Sequence, residues 1–430
     1  MILFDGKMMP DEALDEVLDG LQEHCIRTIE GHRITAAEVI EACGILAERI
    51  ENGFYDHVLE PLLRKGVFTE AQLQEAILFF DRENLQYRYE TELGVRMEKM
   101  EDLIPPHLEK KTEGRHRICV PLGILFHMAA GNAEGLPFYS VIEGLLTGNV
   151  NILKLPSADD GLSVLLLREL ITVCPKLAAY ITVFDLSSAR IEILQKLGKL
   201  ADAIVVWGGD DAIRAARAMA DPETQIISWG HKLSFAYVTP EVSDGELCRL
   251  AAHICATNQT LCSSCQGLFV DTEDRMVQEQ MGMRFLALLE EENARSSSLH
   301  MGIRGKISIS LYNEELESIH SHRKILRGRG VSVILSEDHE LELSHMFRNC
   351  WVKRLPRQKI ISALKPYRGH LQTAGLLCPE SDRAHLEEQL CKAGVVRITR
   401  AAHMSRMLPA EAHDGESVLR RYSRIVEMDM

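Results

Sequence analysis

Between residues 11 and 101 apolar side chains recur with a helical period, as in ITAAEVIEACGILAERI and TEAQLQEAILFFDRENLQYRYETEL, and this pattern predicts amphipathic helices. Thr69 and Gln72 have the spacing of a capping box at the start of the second stretch. From Arg117 the pattern changes. The short apolar runs RICVPLGILFHMA, NVNILKLP, YITVFDL, DAIVVWG and TQIISW alternate with the helical stretches LPFYSVIEGLLTG, LSVLLLRELITVC, ARIEILQKLGKL and DDAIRAARAMA. Continuous apolar strands separated by helices predict a parallel sheet covered on both faces.

A second alternation follows: KLSFAYVTP, the helix ELCRLAAHICA, the strand QGLFVDT and the long helix DRMVQEQMGMRFLALLEEENA, then VSVILSE, RQKIISALKPY, AGLLCPE, DRAHLEEQLCKAG and VVRITR. The expected fold is α/β, with two doubly wound domains after a mainly helical N-terminal section. Residues 1–232 would hold that section and a Rossmann-like cofactor-binding domain, 233–400 the second α/β domain, and 401–430 a C-terminal segment.

At 430 residues the chain exceeds a single core, and 46% hydrophobic with 26% charged residues is a globular composition. A formal net charge of -15 argues against general affinity for nucleic acid or anionic lipid. No apolar run approaches the roughly 18 residues of a membrane span, so none is expected. Eleven scattered cysteines, and an N-terminus that does not read as a signal peptide, predict a reducing, cytoplasmic setting.

Candidate chemistry concentrates in TNQTLCSSCQG, where Cys262 lies in a polar turn between a helix and a strand. Such a junction can expose a thiol beside backbone N–H groups that stabilise its thiolate. On spacing alone, a nucleophile, half of a metal site and plain packing all remain open. A second ligand pair at metal spacing is missing, so no metal is expected. Asn132, in AAGN after an apolar strand, could point an amide into a cleft. Lys154 ends the strand NVNILK, and Gly208 with Gly209 forms a strand-to-helix turn that a diphosphate could approach closely. No G-x-G-x-x-G fingerprint accompanies them.

In this order, PLGILFHMAAGNAEGLPFYSVIEGLLTGNVNILKLPS, VVWGGDDAI, SWGHKLSFAYV, NQTLCSSCQG, RGHLQTAGL and AHDGESVL resemble the acyl-CoA reductases of the LuxC type, a branch of the aldehyde dehydrogenase superfamily. The resemblance implies an aldehyde-dehydrogenase-like fold and a catalytic second domain in which Cys262 accepts the acyl group of a fatty acyl thioester. It makes Asn132 and the Cys262 N–H the oxyanion donors, and Lys154 a ligand of the adenosine ribose. Ser157 stands where aldehyde dehydrogenases carry a ribose-binding glutamate, which favours NADPH over NADH. Ser228 replaces the glutamate that activates water, which suits thioester reduction and not release of an acid. Cys265 falls where the family pattern has proline and is expected to be a bystander. The resemblance also implies a homo-oligomer and admits an acyl-transferring partner enzyme as donor. His413 and Asp414, in AHDG, receive no chemical step.

Overall fold

The computed structural model describes residues 1–31, 33–65, 70–94, 115–130, 135–157, 159, 161–318, 323–406, 408 and 410–429. The chain divides into two units, 1–230 with 407–430, and 231–406.

The first unit opens with β1 (Ile2–Phe4) and β2 (Lys7–Met9), a hairpin that the apolar pattern did not suggest. Asp5 and Gly6 both adopt left-handed conformations, φ 45° and 73°, as a two-residue hairpin turn requires. Five helices follow: α1 (Leu14–Glu30), α2 (Ala36–Glu51), α3 (Asp56–Lys65), α4 (Glu70–Phe80) and α5 (Arg82–Leu93). Thr35 and Glu38 cap α2 reciprocally, and its Val39, Cys43, Leu46 and Ile50 are buried. Thr69, at the capping box expected for the later helix, lies outside the described residues.

The run RICVPLGILFHMA is two strands, β3 (Arg115–Pro121) and β4 (Ile124–Met128). Gly123 turns the chain between them with φ 135°, and a Cβ there would come within 2.1 Å of the Asp202 carboxylate, which accepts from the Ile124 N–H at 2.7 Å. β3 leaves the main sheet to pair antiparallel with the C-terminal strand Ser423–Asp429. The chain continues through α6 (Leu136–Leu146), β5 (Val150–Lys154), α7 (Leu162–Val173), β6 (Ile181–Phe184), α8 (Ile191–Leu200), β7 (Ala203–Trp207), α9 (Asp210–Met219) and β8 (Gln225–Trp229).

The sheet order is β2-β1-β6-β5-β4-β7-β8, with β6, β5, β4, β7 and β8 parallel and β1 antiparallel to β6. Taken in chain order, the parallel strands lie as 3-2-1-4-5, the doubly wound arrangement in which winding reverses beside the first strand. Groups at the carboxyl ends of these strands therefore border a ligand crevice.

A buried ion cluster ties the helical section to this core. The Arg88 guanidinium on α5 meets Glu92 at 2.8 Å and Glu143 of α6 at 2.7 Å, and the Glu92 carboxylate also accepts from the Leu419 N–H at 2.8 Å. The AHDGESVL segment thus returns to the first unit.

The second unit comprises β9 (Leu233–Val238), α10 (Asp244–Thr257), β10 (Cys265–Val270), α11 (Arg275–Arg295), α12 (Met301–Ser318), β11 (Lys324–Arg327), β12 (Ser332–Ser336), β13 (Asn349–Arg354), α13 (Ile360–Leu364), β14 (Leu371–Leu377), α14 (Glu380–Ala393) and β15 (Arg397–Thr399). Its order is β11-β12-β13-β10-β9-β14-β15, parallel except for β11. α12 and the interior strand β13 were not expected. Lys353 interrupts the apolar pattern of NCWVKR, yet it is fully buried because its ammonium pairs with Asp338 at 2.5 Å and Glu342 at 2.7 Å.

Candidate active site

Helix α10 ends in two left-handed residues, Asn258 (φ 48°) and Gln259 (φ 62°), which turn the chain back toward β10. Gln259 is buried and uses both ends of its amide. Its N–H donates to the Cys265 carbonyl at 3.0 Å and to Ser344 Oγ at 3.1 Å, while its oxygen accepts from the N–H groups of Arg348 and Asn349 at 2.9 and 3.1 Å. The Leu261 N–H bonds Ser264 Oγ at 3.1 Å, and the Cys265 N–H bonds His253 Nε2 at 3.3 Å. The loop is thereby fixed on both sides of Cys262, whose side chain is exposed.

Cys262 sits at the amino ends of β9, β10 and β14. Its carbonyl accepts from Ser234 Oγ at 2.7 Å, and its sulfur accepts from Gln372 Nε2 at 3.3 Å. The two cysteines of the C-x-x-C separate physically. Cys265 is buried, its thiol donates to the Gly267 carbonyl at 3.2 Å, and burial pushes its pKa up to about 12, so it stays protonated at neutral pH. Among the described residues no cluster of His, Cys, Asp and Glu could hold a metal.

The bond from the Cys265 N–H requires an unprotonated His253 nitrogen. Burial, with Arg397 nearby, pushes His253 down to about 4. In the first unit, burial does the same to His127, which lies between Ser140 at 2.7 Å and Asn151 at 3.0 Å. Both histidines bind a proton more readily when unfolded, so their contribution is complete above about pH 6.5 and is lost as pH falls toward 4. The loss is on the order of 3 kcal/mol for each. Urea unfolding midpoints should fall steeply between pH 6.5 and 4, and replacing His253 with Gln should flatten that fall. A midpoint independent of pH in this window would contradict it.

The expected cofactor residues lie in the first unit. Lys154 ends β5, only 5% exposed, and its Nζ donates to Ser188 Oγ at 3.0 Å. Burial lowers its pKa against the opposing pull of Asp185. Ser157 is exposed in the turn that follows. At the carboxyl end of β7 the Gly208 N–H bonds the Trp229 carbonyl at 3.1 Å, and a Cβ on Gly209 would meet open space. This turn admits close approach, but Asp210 and Asp211 in the first turn of α9 already place negative charge at the helix amino end. It is less favourable to a diphosphate than the two glycines alone suggest. Asn132 lies outside the described residues.

His413 meets the rings of Trp207 and Trp229 at 4.9 and 4.8 Å. Trp207 Nε1 in turn donates to Ser140 Oγ at 3.0 Å. The AHDG segment therefore lies at the carboxyl ends of β7 and β8. Sequence reading missed Gln372 and Ser234, although both stand in quoted motifs, RGHLQTAGL and SWGHKLSFAYV. A cavity of about 380 Å³, lined by Arg249, Cys378, Arg383 and Arg400 among others, opens at the carboxyl end of β14. It is remote from Cys262, which lies at the amino end.

Residues 35–425 match the family described as acyl-CoA reductase (LuxC). The "long-chain acyl-protein thioester reductase 2" of Photobacterium leiognathi is 25% identical over 314 residues, 70% of this chain and 63% of that protein. The similarly named protein of Photorhabdus laumondii is 33% identical over 158 residues, 35% of this chain and 32% of its own. The match thus spans less than two thirds of these relatives' length. Among solved structures, a putative methylmalonate-semialdehyde dehydrogenase from Sinorhizobium meliloti complexed with NAD has a TM-score of 0.71 at 12% identity, over 100% of this chain and 97% of that one. A glyceraldehyde-3-phosphate dehydrogenase from Methanocaldococcus jannaschii complexed with NADP also gives 0.71 at 12% identity, over 99% and 95%. With the expected aldehyde-dehydrogenase-like fold present and the match running through nearly all of both units, the chain belongs to the LuxC acyl-CoA reductase family.

Proposed function

We propose that the protein reduces a fatty acyl thioester to the aldehyde, using NADPH and an acyl-Cys262 intermediate. The observation that carries this reading is Cys262 itself, exposed on a loop fixed at both ends, with hydrogen-bond donors on its carbonyl and its sulfur. The names of the relatives support the substrate class.

The Cys262 thiolate attacks the acyl carbon. A new S–C bond forms, and the carbonyl oxygen becomes an oxyanion held by the Cys262 N–H and, by the resemblance, Asn132. Collapse breaks the bond to the donor's sulfur, which leaves and takes a proton from solvent. Bound NADPH would supply the hydride that turns the acyl carbon into an aldehyde carbon. The Cys262–carbon bond then breaks and frees the thiolate. Ser228 stands where a carboxylate would activate water, so the acyl-enzyme is protected from hydrolysis.

The first unit's residues fit a dinucleotide. The parallel strands reverse winding beside β4, Lys154 stands at a carboxyl strand end, and Gly209 leaves its turn open. Lys154 would hold the adenosine ribose or its 2′-phosphate, and Ser157 puts no carboxylate there to repel that phosphate. The test is an assay with a series of acyl thioesters, measuring aldehyde and cofactor oxidation. Aldehyde should form with kcat/KM about tenfold or more higher for NADPH than for NADH. Release of acid, or no cofactor oxidation with any thioester, would overturn the reading.

A further inference from the structure

We infer that Gln372 is a catalytic residue, one that holds the Cys262 sulfur as a thiolate by donating a side-chain N–H to it. The inference rests on Cys262 being the nucleophile of the proposed reaction.

The sheet is distorted where it delivers this group. β14 pairs with β9 in register at Leu371 opposite Leu233 and resumes at Ala374 opposite Phe235, so Gln372 and Thr373 together face the single residue Ser234. β10 is also irregular on the other side of β9, one residue further on: Cys265 lies opposite Ser234 and Leu268 opposite Ala236, so Gln266 and Gly267 together face Phe235. Bulges in a sheet re-aim side chains and concentrate beside active sites. Ser234 thus faces the first bulge and borders the second. Its buried hydroxyl accepts from the Thr373 N–H at 3.0 Å and donates to the Cys262 carbonyl at 2.7 Å, locking the bulge of β14 to the nucleophile loop. The Gln372 carbonyl also accepts from the Val396 N–H at 3.2 Å, which fixes its backbone from the β15 side. The side chain that this framework presents, 8% exposed, reaches Cys262 Sγ at 3.3 Å.

A neutral amide donor favours the charged form of the sulfur without neutralising it. The hydrogen bond is strongest to the thiolate, weakens as the S–C bond forms, and is restored when the aldehyde departs. Ser234 touches no reacting atom through its side chain and acts as a positioning residue.

The test is the pH profile of Cys262 alkylation by iodoacetamide, read by peptide mass spectrometry with the exposed Cys391 as internal reference. Gln372→Met keeps the side-chain length but cannot donate. It should slow alkylation at pH 7 about fivefold and move the midpoint up by roughly 0.7 pH unit. Gln372→Glu, of the same shape, puts a carboxylate against the thiolate and should move the midpoint further, by about one unit or more. Cys391 should be unchanged in both. Profiles that overlay the parent in both variants would overturn the assignment. Alkylation needs neither thioester nor NADPH. A shifted profile without aldehyde formation would keep the role of Gln372 and remove the proposed reaction, while aldehyde formation with an unmoved profile would do the reverse.

Discussion

Cys262→Ala should melt at the temperature of the parent protein and form no acyl-enzyme. Its side chain is exposed, and the bonds that shape the loop run through Gln259, His253, Ser264 and the Cys262 carbonyl, all of which survive the change. Losing an exposed side chain of this size shifts stability by about 0.5 kcal/mol or less. In the proposed mechanism the change removes the acyl-accepting thiolate and with it the intermediate, and aldehyde formation should fall by at least about 10⁴-fold. The measurement is intact-protein mass after incubation with an acyl thioester and no cofactor, followed by peptide mapping. The parent should carry one acyl group on the peptide with Cys262. The second exposed cysteine among the described residues, Cys391, is the control, and Cys391→Ala should be acylated normally. An acyl group retained by Cys262→Ala on another peptide would move the nucleophile elsewhere.

Arg88→Met should destabilise the protein by about 3–5 kcal/mol at pH 8, because it strands two buried carboxylates and not one. Glu92 and Glu143 face Arg88 within the helical section and α6, with side chains only 3% and 6% exposed. Burial already pushes the Glu143 pKa up to about 7 even with Arg88 opposing it. A carboxyl whose pKa is raised on folding contributes stability below its unfolded pKa and loses it as pH rises through the folded value. In the variant that loss is larger, since the opposing cation is gone. The deficit against the parent should therefore shrink as pH falls from 8 to 5 and Glu143 takes a proton. Urea unfolding at the two pH values checks this, and equal midpoints for parent and variant at pH 8 would contradict it.

Much of the fold is legible in the chain because a parallel strand covered on both faces leaves a continuous apolar run. YITVFDL, DAIVVWG and KLSFAYVTP all appear as strands at or within a few residues of the expected places. The N-terminal hairpin was not read, because Asp5-Gly6 between ILF and KMM is its one local signal and its short strands carry too few residues for periodicity to register. RICVPLGILFHMA misled because its apolar character is continuous while Pro121 and Gly123 break it into strands that serve different sheets. Of the candidate site, the Cys262 loop was visible as a polar turn before an apolar strand, and Lys154 as the last residue of another such strand.

What the sequence by itself determined was the two alternations of strand and helix, the position of Cys262 between α10 and β10, and the family pattern. What only the tertiary structure decided was the state of its polar groups. NCWVKR becomes an interior strand because Lys353 finds Asp338 and Glu342, and Cys265 becomes an inert thiol because β10 carries it into the core while Cys262 stays outside. Gln372 reaches a sulfur 110 residues away in the chain because Ser234, facing the bulge of β14, bonds both that bulge and the Cys262 loop. A buried charge or donor is stable only with its partner in place, and that partner comes from a distant segment whose position no local pattern of residues encodes.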